Sequence, residues 1–156
     1  MIYQDFLELL RVLEKHKVKY ALIGGYAVGI YAEPRYTKDM DIVVAPTLKN
    51  ARALLLALEE FGAPISNLSK EDIAKPGLLY VFGVEPLRVD ILNRIKGVSV
   101  ALLIKRSKKI KIKKISASVV SLSDLIKLKQ LAGRKQDLAD IDNLKLAEKR
   151  LRSKKK

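Results

Sequence analysis

Near the start of the chain, apolar residues recur every three or four positions: Phe6, Leu9, Leu10 and Leu13. That spacing places them on one face of a helix and predicts a helical segment over residues 3–16. Tyr20-Ala21-Leu22-Ile23 is an unbroken apolar run that reads as a buried strand ending at Gly24-Gly25. Tyr26–Tyr31 then reads as a short helix, stopped near Glu33-Pro34 because proline cannot continue helical hydrogen bonding. A basic loop, Arg35-Tyr36-Thr37-Lys38, leads into a strand at Asp39–Val44. Ala51, Leu54, Leu55, Leu58 and Phe61 form the next helical stripe, closed by Gly62, and the polar stretch Asn67–Pro76 reads as a surface excursion. Leu78–Phe82 and Leu87–Leu92 read as two strands of an antiparallel hairpin joined through Gly83-Val84-Glu85-Pro86.

The pattern changes after Asn93. A short helix around Val98–Ile104 precedes Lys109-Ile110-Lys111-Ile112-Lys113, whose alternation fits an edge strand guarded by lysines. Ser121 or Ser123 is placed to cap a helix carrying Leu125, Leu128 and Leu131 up to Gly133, and a last helix carries Leu138, Ile141, Leu144 and Leu151. Lys154-Lys155-Lys156 reads as a frayed tail. The expected fold is α/β: a small mixed β-sheet with helices mainly on one face and a helical C-terminal extension.

Length and composition bound the possibilities. A chain of 156 residues suits one domain with a real core. No apolar run reaches membrane-spanning length, and the N-terminus has no basic-then-apolar leader, which excludes a membrane role and points to the cytoplasm. With no cysteine there is neither a disulfide nor a thiolate metal site, and the single His16 sits in the polar run Glu14-Lys15-His16-Lys17. Residues 1–93 carry 11 Lys/Arg against 12 Asp/Glu, whereas 94–156 carry 20 against 5; all nine aromatics lie in the first part. The basic part can attract a phosphate backbone, but it has no aromatic platform for stacking unpaired bases. A lysine-rich solubilising surface explains the same charge equally well.

Against this background three carboxylates stand out. In a strand, Asp39 and Asp41 point to the same side while Met40 points away, and Asp90 sits inside Val89-Asp90-Ile91-Leu92. Carboxylates in apolar runs need a cation beside them. A divalent metal would serve, and for Asp39 and Asp41 so would ion pairs with Arg35, Lys38 or Arg88. Gly24-Gly25 on a strand-to-helix turn could bring backbone N–H groups to a polyphosphate, or could simply permit the turn. Tyr26 breaks any dinucleotide-binding glycine fingerprint.

Ile23-Gly24-Gly25, Asp39-Met40-Asp41-Ile42 and Val89-Asp90-Ile91 occur in the order h-G-[GS], D-h-[DE]-h, h-[DE]-h. They resemble the minimal nucleotidyltransferases of the DNA polymerase β-like superfamily, over about the first 93 residues. Ser123–Lys129 followed by Ala132–Ile141 is similar to the helical tail of the abortive-infection toxin-like (AbiEii/MNT-type) nucleotidyltransferases. The resemblance implies a catalytic core over 1–93 and a basic, mostly helical extension over 94–156 that completes the same domain. It implies two-metal transfer of a nucleoside monophosphate from a nucleoside triphosphate, such as ATP, to an acceptor hydroxyl. Asp39 and Asp41 would bridge two Mg²⁺ (or Mn²⁺) ions, and Asp90 would bind the metal that activates the acceptor. Gly24 and Gly25 would cradle the triphosphate; Arg35, Lys38 and Lys129 would neutralise it, with Arg134 and Asp137 beside it. The implied acceptor is tRNA or another structured RNA, a protein or a small molecule, and an acidic antitoxin protein is an implied partner. Many relatives carry Gly-Ser, whose hydroxyl touches a phosphate, whereas Gly25 here is followed by Tyr26. A catalytically inactive nucleotide- or RNA-binding member, or an interaction module of a toxin–antitoxin-like pair, are the alternatives.

Overall fold

The computed structural model describes residues 2–154. Lys155 and Lys156 of the expected frayed tail lie outside the described residues. The helices are α1 (Gln4–Lys15), α2 (Gly24–Tyr31), α3 (Leu48–Phe61), α4 (Lys70–Ala74), α5 (Val100–Lys105), α6 (Leu122–Ala132) and α7 (Lys135–Lys154). The strands are β1 (Tyr20–Ile23), β2 (Asp39–Val44), β3 (Leu79–Phe82), β4 (Arg88–Leu92), β5 (Lys108–Ile112) and β6 (Ile115–Val119). They form one mixed sheet in the order β3-β4-β2-β1-β6-β5. β1 runs antiparallel to β2 and parallel to β6, β2 runs parallel to β4, and the β3–β4 and β5–β6 pairs are antiparallel hairpins.

One face of the sheet carries Tyr20, Leu22, Met40, Ile42, Val89 and Ile91, none more than 1% exposed. The Tyr20 hydroxyl donates to Glu14 of α1, and α1 packs on α3, so these helices close that face. Ala21 and Val43 point the opposite way and are also fully buried, so the sheet centre is covered on both sides. Over β3 the second face is open: Leu79 and Val81 are 65% and 41% exposed.

Two expectations need correction. The polar stretch 67–76 is not a free excursion, because it forms α4 and seats Ile73 fully in the core. Asn93, itself buried, ties that segment down: its amide donates to the Ile73 and Lys75 carbonyls, and its carbonyl oxygen accepts from the Gly77 and Leu78 N–H groups. The basic part also holds a strand beyond the edge strand. β6 lies between β1 and β5, so the sheet itself crosses the 93/94 division. Ile115-Ser116-Ala117-Ser118-Val119 has small side chains and weak hydropathic contrast, yet Ala117, Ser118 and Val119 are buried because the strand is internal.

Capping follows the expected chemistry. Ser121, rather than Ser123, accepts the Asp124 N–H and opens α6, and Gly133 closes it in the left-handed conformation. The short gap to α7 folds the two helices together, and this pairing delivers α6 and α7 to the end of β2.

Candidate active site

Parallel pairing sets Asp41 opposite Asp90 and Asp39 opposite Arg88. Residues opposite one another share a face, so all four side chains emerge on one side of the sheet. One oxygen from each of Asp39, Asp41 and Asp90 lies within 4.8 Å of the other two. β1 ends beside them, with Ile23 opposite Asp41. Gly24 follows at φ +71°, and a Cβ there would overlap Asp41 Oδ2. Glycine is therefore required twice, by the backbone angle and by the approach of the carboxylate. Gly25 is equally confined: a Cβ would lie 2.9 Å from Thr37 Oγ1 and 3.2 Å from Arg35 Nη2. The two glycines begin α2, whose first turn has no side-chain cap. Its leading N–H groups thus remain available to an anion.

Burial, followed by the charges of Asp39 and Asp90, pushes the Asp41 carboxyl up to about 7 against the pull of Lys129 and Arg134. Asp39 is raised as well, by burial and then by Asp90, with Arg88 opposing. Of the three carboxylates, Asp90 has an ion-pair partner among the described residues. Arg88 Nε and Nη2 donate to the Asp90 oxygens at 2.8 and 3.2 Å. Among the described residues, no Lys or Arg pairs with Asp39 or Asp41. Three converging carboxylates, two of them pushed up by burial and then by their neighbours' charge, are a donor set that fits a hard divalent cation.

α6 and the turn that leads from it into α7 supply the opposing charge. Lys129, 6% exposed, places Nζ 3.2 Å from Asp137 and 3.0 Å from Asp140. Arg134 donates to Asp137 at 2.8 Å, and Arg35 grips Asp140 through two hydrogen bonds. Burial raises both Asp137 and Asp140. Hydrogen bonds from Arg134 and Lys129 to the first, and from Arg35, Lys129 and Gln136 to the second, outweigh it and hold both below the usual carboxylate range. A cavity of about 620 Å³ joins these parts. Gly24, Gly25, Arg35, Lys38, Asp39, Asp41, Asp90, Lys129 and Arg134 all border it. Asp137 does not. It is fully buried and accepts hydrogen bonds from Lys129 and Arg134.

Sequence reading passed over Thr37, Gln136 and Asp140. Thr37 Oγ1 donates to the Asp39 carbonyl at 3.0 Å and holds the basic loop against β2, while Gln136 borders the cavity and bonds Asp140. Tyr26 does not border this cavity; its ring packs edge-on against Phe6, with centroids 5.2 Å apart, and burial, Tyr3 and the Asp39 charge push its hydroxyl up.

A protein-family model described as nucleotidyl transferase of unknown function (DUF2204) matches residues 2–156. Solved structures with a similar fold include the lincosamide antibiotic adenylyltransferase LnuA with lincomycin bound (17% identity, TM-score 0.62, covering 93% of this chain and 97% of that one). Another is the antibiotic-resistance factor ANT(2'')-Ia (13% identity, TM-score 0.60, covering 97% and 92%). A third is a Thermotoga maritima protein described as a nucleotidyltransferase (15% identity, TM-score 0.63, covering 91% and 93%). A comparison with curated proteins by sequence found no match.

Proposed function

The chain belongs to this nucleotidyl transferase family, and from that premise we propose that it moves a nucleoside monophosphate from a nucleoside triphosphate to an acceptor hydroxyl, with Mg²⁺ or Mn²⁺ bound. One observation carries this reading: the Asp39, Asp41 and Asp90 oxygens converge within 4.8 Å in a cavity that also holds the Gly24-Gly25 turn, Lys129 of α6 and Arg134 of the α6–α7 turn. In the reaction, the acceptor oxygen forms a bond to the α-phosphorus. The bond from that phosphorus to the pyrophosphate oxygen breaks, and the hydroxyl proton leaves to a carboxylate.

Asp39, Asp41 and Asp90 would hold the divalent ions. Such ions supply positive charge to the phosphate oxygens and make the acceptor hydroxyl more acidic. Asp90, steadied by Arg88, is placed to take the acceptor proton. The first amides of α2 at Gly24 and Gly25 bind phosphate oxygens. Lys38 and Arg134 neutralise the triphosphate, helped by the third N–H of Lys129, whose other two donors face Asp137 and Asp140. Asp137 acts from beneath, by aiming Lys129 and Arg134. Arg35 holds the loop that carries Thr37 and Lys38. In this reading residues 1–93 provide the carboxylates, the glycine turn, Arg35 and Lys38, and 94–156 complete the same domain with Lys129 and Arg134.

Structural neighbours with a lincosamide or a tobramycin adduct bound favour a small-molecule acceptor over RNA or protein. Nucleoside triphosphates labelled at the α-phosphate, supplied with Mg²⁺ or Mn²⁺, test the proposal against small hydroxylated compounds, total RNA and total protein. Transfer is expected with wild type and lost with Asp39→Asn. Triphosphate binding without transfer to any acceptor would favour the inactive, binding-only reading. Transfer to RNA, or capture of an acidic protein, would favour the toxin-like one.

A further inference from the structure

The acceptor side of the site has a shape and a charge. Val81 stands opposite Asp90 and Leu79 opposite Leu92, so these side chains continue the carboxylate face onto the open half of the sheet. Leu92 lies one pleat repeat, about 7 Å, beyond Asp90 on the same strand face. A second cavity of about 410 Å³ begins there, bordered by Gly77, Leu78, Leu79, Leu92, Arg94 and Lys96. Its floor is aliphatic, and its rim carries two exposed cations that form no ion pair among the described residues. Asn93 holds the Gly77-Leu78 wall through two hydrogen bonds of 2.8 Å, so the cavity is built rather than a gap beside a loose loop.

We infer that this open face over β3 and β4 is the acceptor subsite, and that the acceptor is a small molecule with an apolar body and an anionic group. The inference rests on the transfer reaction proposed above. The apolar body lies on Leu79, Val81 and Leu92, the anion meets Arg94 and Lys96, and the hydroxyl reaches Asp90. The volume suits a small ligand. This face of β3 and β4 itself carries no aromatic ring for an unpaired base to stack on, because Tyr80 and Phe82 point to the other face, where they pack on each other and Phe82 meets Phe61. The net charge of +14 draws anions to the surface and repels a polycation such as an aminoglycoside.

The anionic, apolar dye 1-anilinonaphthalene-8-sulfonate tests the subsite without any need for catalysis. Fluorescence titration of the full chain should show binding that weakens roughly tenfold or more in Arg94→Glu/Lys96→Glu and in Leu79→Ser/Val81→Ser. Thermal melts should match wild type, since these side chains are exposed, and binding of a fluorescent ATP analogue should match in Arg94→Glu/Lys96→Glu, whose residues do not border the carboxylate cavity. Dye affinity unchanged in both double variants overturns the inference, as does an active enzyme that prefers aminoglycosides to hydroxylated aryl or fatty acids. If the dye result holds but no acceptor is ever labelled, the transfer reaction fails and the anion-binding face stands.

Discussion

Arg35 and Asp140, 105 residues apart, meet in a two-bond ion pair, Nε to Oδ1 at 2.9 Å and Nη2 to Oδ2 at 2.8 Å. Asp140 is fully buried and also receives Lys129. This one carboxylate therefore fastens the basic loop before β2 to α7 and fixes a cation at the cavity wall.

Removing it leaves Arg35 without a carboxylate partner and Lys129 with Asp137 alone. Asp140→Ala is expected to cost about 3–5 kcal/mol, the range for breaking a buried pair from one side. Asp140→Asn should cost less, because an amide oxygen still accepts one bond. Urea unfolding measures both, and a loss below about 1 kcal/mol for the alanine variant would mean that the network does not hold the fold.

Gly24→Ala probes the contact between the glycine turn and Asp41. The positive φ and the overlap with Asp41 Oδ2 should together cost about 1–3 kcal/mol. Divalent-metal affinity should fall as well. Asp41→Gly in the same chain should recover part of the stability, and strictly additive effects in a double-mutant cycle would refute the contact.

The raised pKa of Asp41 gives a pH dependence with a definite sign. An unfolded aspartate titrates near its ordinary value of about 4, while the folded one is pushed up to about 7. Between these values the folded chain holds a proton that the unfolded chain has released. Without metal, stability should therefore fall as pH rises from about 4 to about 7, by a few kcal/mol at most at about 1.4 kcal/mol per unit. Asp41→Asn should flatten that slope and leave the metal-free protein at least as stable as wild type above pH 7. Unfolding in chelator across this range is the measurement, and a large loss at high pH in the variant would make Asp41 a structural ion-pair member.

Divalent cations should relieve the same repulsion. Mg²⁺ or Mn²⁺ is expected to raise the melting temperature, more so with a non-hydrolysable triphosphate analogue present. Asp39→Asn or Asp41→Asn should abolish that synergy. Calorimetry showing equal metal binding in wild type and both variants would exclude the triad as the metal site.

What the sequence determined by itself is local. Alternation in Asp39-Met40-Asp41-Ile42 put two carboxylates on one side of a strand, and Asp90 repeated the pattern inside a second apolar run. Glycines and serines marked turns and caps, because backbone angle and end-group hydrogen bonding are properties of a few neighbouring residues. The tertiary structure decided whatever depends on which surfaces meet. β6 became internal despite a composition of small residues, since pairing on both sides, rather than hydropathy, buries it. Asp137 and Asp140 look like ordinary polar positions of a helix, and only the docking of α7 against α6 and the Arg35 loop turned them inward. The covered centre of the sheet and its open edge over β3 were likewise undetermined by pattern alone. An exposed Leu79 and a buried Leu22 are the same residue in the same kind of strand, and solvent access depends on what packs above them.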